Sequence, residues 1–186
     1  MPHKNLPSHL KNQFGFGATN ATINVYIENI PPLPEYQELS SVNALQPGDV
    51  ARIGQLTGNH WRKIFNVFAK LLFEYSAHNF TSWQLLRDEY LLQAHGNEQL
   101  LFSPVSFDEL KEKQNADQTN HTISLIMGKT YANKLGIDEH CYWLSESFAI
   151  NTKKRIIICP YFDYRQLSNI KITQLVQLMK QLEACE

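Results

Sequence analysis

The densest group of reactive side chains in this sequence runs from Ile156 to Asn169, IIICPYFDYRQLSN. A β-branched run stops at Pro160, and Tyr161, Phe162, Asp163, Tyr164 and Arg165 follow before Ser168 and Asn169, either of which can cap a helix. Aromatic rings beside a guanidinium suit stacking on a planar base and pairing with a phosphate. The same residues also fit a structural role, with Tyr161 and Phe162 packed beneath the helix and Asp163 paired with Arg165. Both readings stand at this level. A second group is Glu28-Asn29-Ile30-Pro31-Pro32, an acid and an amide held at the entrance of a proline-stiffened loop that continues to Tyr36. A third is Gly128-Lys129-Thr130, where a glycine after a strand permits a tight turn whose backbone N–H groups can hold an anion or a carbonyl oxygen.

Several familiar chemistries are absent from the pattern. Gly128-Lys129-Thr130 resembles the end of a phosphate-binding loop, but the position of that motif's first glycine is Ile123, inside a strand, so nucleotide triphosphate hydrolysis is not expected. Gly15-Phe16-Gly17 precedes the first strand instead of following it, which reads as a turn and not as a dinucleotide fingerprint. The seven histidines (His3, His9, His60, His78, His95, His121, His140) show neither H-x-x-x-H nor H-E-x-x-H spacing. No G-x-S-x-G elbow occurs. Cys141, Cys159 and Cys185 are far apart and make no C-x-x-C pair, so reduced thiols are expected, with no iron–sulfur cluster, metal or other cofactor.

These groups need elements to position them. Ile23 to Ile27 reads as a buried strand that empties into the Pro31, Pro32 and Pro34 loop. Leu39 to Leu56 reads as a loop with one short helix around Val50 to Ile53. Trp61, Ile64, Phe65, Phe68, Leu71, Leu72 and Tyr75 recur at helical spacing, and Trp83 to Leu91 suggests a further helix. A short strand at Gln99 to Phe102 and a capping box from Ser106 to Glu109 follow, with the helix ending in the Asn115 to Asn120 run. Thr122 to Met127, Gly128, and a helix to Leu135 closed by Gly136 make one βα unit. Arg155 to Cys159, the aromatic loop, and a helix from Ile170 to Leu182 make another.

Strands without polar alternation, separated by helices, predict a three-layer α/β/α sandwich around a mostly parallel, roughly four-stranded sheet. The ligand crevice of such a sheet lies beyond the carboxyl ends of its strands, which nominates the three groups above. With 186 residues and 43% hydrophobic content, one α/β domain over 21–186 is expected, preceded by an irregular arm over 1–20. Seventeen Lys and Arg against eighteen Asp and Glu name no partner by net charge. No apolar run approaches the roughly 20 residues of a membrane span, and no apolar signal core opens the chain, so a cytoplasmic protein is expected.

Taken in order, these elements resemble the uracil-DNA glycosylase-like superfamily, or an uncharacterised bacterial family sharing its fold. The resemblance covers most of residues 23–182. It rests on a first strand with a proline-rich loop, the strand-glycine-lysine step Ile123 to Lys129, the aromatic linker at Tyr142 and Trp143, and the final strand-proline-loop-asparagine-helix. It implies an extruded base bound between the first and last loops and hydrolysis of its N-glycosidic bond in a preorganised pocket. Carried onto this chain, Glu28 or Asn29 would position water, and Tyr161 would donate a hydrogen bond to the leaving base. Tyr161 stands where the superfamily has a histidine, and the first motif lacks its glycine. Phe162 or Tyr36 would provide a stacking wall, while Gly128, Lys129, Asp163, Arg165 and Asn169 would line the ligand site. The partner so implied is DNA or a free nucleobase or nucleotide; the alternative is a non-catalytic module that binds a small ligand or a protein in the same crevice.

Overall fold

The computed structural model describes residues 13–76, 79–110 and 122–184. Ile23–Tyr26 (β2), Glu98–Leu101 (β4), Ile123–Met127 (β5) and Ile156–Cys159 (β8) are all buried along their length and pair in parallel in the order β4-β2-β5-β8. These match the four apolar runs of the sequence. Among the described residues the sheet nevertheless has eight strands, in the order β3 (Val42–Asn43), β1 (Gly15–Gly17), β4, β2, β5, β8, β7 (Ala149–Asn151), β6 (Tyr142–Trp143), so the four-stranded expectation is corrected. The additional strands are Gly15–Gly17 (β1), Val42–Asn43 (β3), Tyr142–Trp143 (β6) and Ala149–Asn151 (β7). They run two or three residues each, too short to carry a legible alternation. β1 lies antiparallel on β4, and β7 antiparallel on β8.

Gly15-Phe16-Gly17 is therefore a strand, where a turn was expected. Phe16 is fully buried, so residues from 13 onward belong with the domain, and what precedes them lies outside the described residues. The two glycines have a steric reason. A Cβ on Gly17 (φ +124°) would sit 2.2 Å from the Glu98 carbonyl oxygen, and one on Gly15 2.1 Å from that of Leu100. Gly17→Ala is expected to destabilise the fold by about 2 kcal/mol, read as a lower urea midpoint at unchanged slope.

The α-helices with both ends among the described residues are Pro34–Gln37 (α1), Asp49–Thr57 (α2), Asn59–Tyr75 (α3), Trp83–Glu89 (α4), Lys129–Lys134 (α5) and Asn169–Ala184 (α6). Side chains alternate across the sheet, as the two-residue strand period requires. Val25, Leu125, Met127, Ile157 and Cys159 join α2, α3, α4 and α6 in the larger hydrophobic cluster. Tyr26, Ile126, Ile156 and Ile158 face the other way, with Tyr131 and Ala132 of α5. Helices thus cover both faces. Trp61 is only 2% exposed and packs edge-on to Phe102, which makes it a core residue. The capping box is present: Ser106 Oγ accepts from the Glu109 N–H at 3.2 Å, and Glu109 Oε2 accepts from the Ser106 N–H at 2.7 Å. The expected end of that helix lies outside the described residues. Among the described residues, no helix is long and apolar enough to cross a membrane.

Candidate functional site

In the parallel core the chain goes from β2 to β4 on one side and then to β5 and β8 on the other. The strand order reverses between β2 and β5, and the carboxyl ends of those strands are where an open α/β sheet forms its ligand crevice. Glu28 and Asn29 leave β2 there, Gly128 leaves β5, and Tyr161 follows β8 one strand further along.

Three side chains distant in sequence meet at this end. The Tyr161 hydroxyl lies 3.0 Å from Asn29 Oδ1 and 3.0 Å from His60 Nε2. A phenol has one proton, and an amide oxygen can only accept, so Tyr161 donates to Asn29 and His60 donates through Nε2–H to the phenol oxygen. Burial, with Asp163 and Glu28 nearby, pushes the Tyr161 hydroxyl well above the usual phenol range. It remains a neutral donor across physiological pH and cannot serve as a base. The arrangement is directional, with donor and acceptor atoms already placed, and could read the edge of a planar amide-like ligand.

Each member is held by its own element. His60 stands in the first turn of α3, which meets α2 at Gly58 with φ +80°. Its neighbour Trp61 is locked in the core, which leaves His60 facing out, its ring centroid 5.7 Å from that of Tyr161. Asn29 is fixed by what flanks it. Ile27 is fully buried and donates to the Leu101 carbonyl, and the Pro31 carbonyl accepts from both the Leu33 N–H and the Gln37 side chain at 2.7 Å. Glu28, just before Asn29, pairs with Lys134 at 2.5 Å in the last turn of α5, where a cation also suits the helix dipole.

The other expected residues are distributed differently. Asp163 binds Lys63 Nζ at 3.0 Å and Arg165 Nη2 at 3.1 Å, and it also accepts from the Arg165 backbone N–H. The Arg165 guanidinium is the largest influence on this carboxyl and, with the Arg165 N–H and Lys63, holds it well below the usual carboxylate range against the opposing effect of burial. Its contribution to stability is present above the ordinary carboxylate pKa and is lost as pH falls toward the depressed folded value. Asp163→Asn should cost about 1 kcal/mol at neutral pH and flatten the acid limb of a stability–pH curve.

Phe162 is fully buried and meets Phe68 edge-on at 5.5 Å, so its ring presents no face to a ligand. Tyr36 belongs to the core as well, edge-on to Phe16, with its hydroxyl 2.8 Å from Arg52 Nη2. The stacking wall expected from Phe162 or Tyr36 is thus part of the core packing. Gly128 has φ +98° and open space over its Cα, but its N–H donates to the Cys159 carbonyl at 2.8 Å and is not free to bind an anion. Lys129 Nζ lies 4.5 Å from the Trp143 ring centroid, and Asn169 Oδ1 accepts from Lys70 Nζ at 3.4 Å on the outer side of α3.

His60, Lys134 and Lys63 were not singled out in the sequence. A lone histidine beside a buried tryptophan carries no spacing signal, and the two lysines sit on helix faces that read as solvated. Among the described residues, no three His, Cys, Asp or Glu side chains converge in a way that could hold a metal ion.

The fold is thus α/β, with Asn29, Tyr161 and His60 joined by hydrogen bonds beyond the carboxyl ends of its strands. Residues 14–180 match the model of a family of unknown function, DUF6942, and the chain belongs to that family. No curated protein and no solved structure matches it.

Proposed function

We propose that the switch-point crevice binds a planar, hydrogen-bonding heterocycle of nucleobase type through Asn29, Tyr161 and His60. The observation that carries this reading is the hydrogen-bonded chain Asn29–Tyr161–His60, drawn from three separate segments to the end of the sheet where ligands bind. The resemblance to the uracil-DNA glycosylase-like superfamily adds a finer proposal, hydrolysis of an N-glycosidic bond. Water positioned by Glu28 or Asn29 would attack the anomeric carbon, the bond to the base would break with its electron pair on the base, Tyr161, backed by His60, would hydrogen-bond the departing anion, and the proton lost by the water would pass to that anion, directly or by way of the Glu28 carboxylate.

A second reading, binding without turnover, is favoured by a specific observation: Glu28 is engaged by Lys134, and the Tyr161 proton is committed to Asn29. Single-turnover assays on oligonucleotides carrying uracil, hypoxanthine or no lesion, single- and double-stranded, separate the two. Base release that vanishes in Glu28→Gln and Tyr161→Phe supports hydrolysis. Saturable binding of free base without release supports the binding protein.

A further inference from the structure

The end of the molecule opposite the crevice holds a second site. α3 runs from His60 at the carboxyl ends of the strands to Tyr75 at their amino ends. There a cavity of about 380 Å³ opens between α3, α4 and the first residues of β2 and β4. That volume falls within the range of small-molecule sites. Its walls carry Leu72 and Leu86, three aromatic rings in Tyr75, Phe80 and Tyr90, and the side of Glu98. Phe80 and Tyr90 meet edge to face with centroids 5.8 Å apart, which makes a corner of π-surface.

Glu98 is the unusual member. It is 1% exposed, yet among the described residues no lysine, arginine or histidine pairs with it. Its partners are backbone donors alone: the Leu92 N–H on Oε1 at 2.7 Å and the Asn97 N–H on Oε2 at 2.8 Å. Each oxygen retains an accepting lone pair. A buried carboxylate without a counter-charge is costly, and a cation in the adjoining cavity would reduce that cost. Aromatic faces set around a carboxylate are the chemistry that recognises an organic ammonium. Other ionisable groups border these walls: the Tyr75 hydroxyl binds Glu183, Arg155 acts on Tyr75 electrostatically, and the His95 ring meets Tyr90 edge-on at 5.1 Å.

We infer that this cavity binds a protonated aliphatic amine, its ammonium group on Glu98 and its apolar body against Tyr75, Phe80 and Tyr90. This site is independent of the crevice and of any activity there. The test uses the whole chain at mildly alkaline pH with three probes of similar shape: butylammonium, uncharged butan-1-ol and anionic butyrate, each followed by melting temperature and by NMR shifts of the cavity residues. Butylammonium should bind about tenfold more tightly than butan-1-ol, butyrate should not bind, and Glu98→Gln should remove the preference. Because that variant alters two backbone hydrogen bonds, Ser76→Trp provides a second reading: Ser76 lines the cavity, and the larger ring should abolish binding while leaving the Glu98 contacts intact. Equal response to butylammonium and butan-1-ol, no response to butylammonium, or an unchanged response in Ser76→Trp would each overturn the assignment.

Discussion

Glu98→Ala is expected to destabilise the protein by about 3 to 5 kcal/mol, the largest effect of any single substitution considered for this chain. The carboxylate joins β4 to the preceding turn, accepting from the Leu92 and Asn97 N–H groups. Leu92 has φ 60°, a left-handed conformation that a leucine adopts at a cost, and the turn places fully buried Leu91 and Leu92 in the core. Removing the acceptor leaves two donors unpaired in a buried setting and opens space beside them. Glu98→Gln keeps the size but turns an amide NH₂ toward a backbone N–H, so it should lose part of the same stability.

The pH dependence adds a sign. Burial outweighs the backbone hydrogen bonds and raises the Glu98 pKa to about 7. Its proton-linked contribution is fully present below the unfolded carboxylate pKa and is lost as pH rises through the folded value, a change of about 3 kcal/mol. The deficit of Glu98→Gln relative to wild type should therefore be larger at pH near 5 than near 8 in urea titrations. A deficit that grew with pH would show that Glu98 is ionised in the fold throughout this range.

Tyr161→Phe should weaken binding of a nucleobase by about a hundredfold while changing stability little. The substitution keeps the ring and its packing and deletes the one oxygen that joins Asn29 to His60. Asn29 then rotates freely, and His60 loses the contact that orients its donor. A site built on such contacts loses most when one member leaves the others unpaired. Isothermal titration of wild type and variant with free bases, alongside urea denaturation of both, reads the two effects separately. Equal affinities would remove Tyr161 from recognition.

The four parallel strands were legible in the sequence because β2, β5 and β8 are short runs rich in β-branched residues and β4 carries Leu100-Leu101 beside Phe102, with turn residues between them. β1 was not, since two glycines imply a turn until the close approach of β4 gives them a steric reason. The same limit divides the aromatic loop. Tyr161 and Phe162 are adjacent and similar, yet one binds Asn29 and the other is sealed against Phe68, a division that local sequence does not encode. The Asp163–Arg165 pair follows from local spacing, whereas Lys63 reaches Asp163 across 100 positions of sequence. His60 and Lys134 join the crevice through the placement of α3 and α5, which no local pattern encodes.

The most direct test of the crevice is NMR observation of the His60 imidazole and Tyr161 ring during titration with free uracil and hypoxanthine. Saturable shifts at both residues in wild type, absent at His60 in Tyr161→Phe, are the expected result. Shifts confined to residues elsewhere, or an identical His60 response in the variant, would contradict a nucleobase site built on Asn29, Tyr161 and His60.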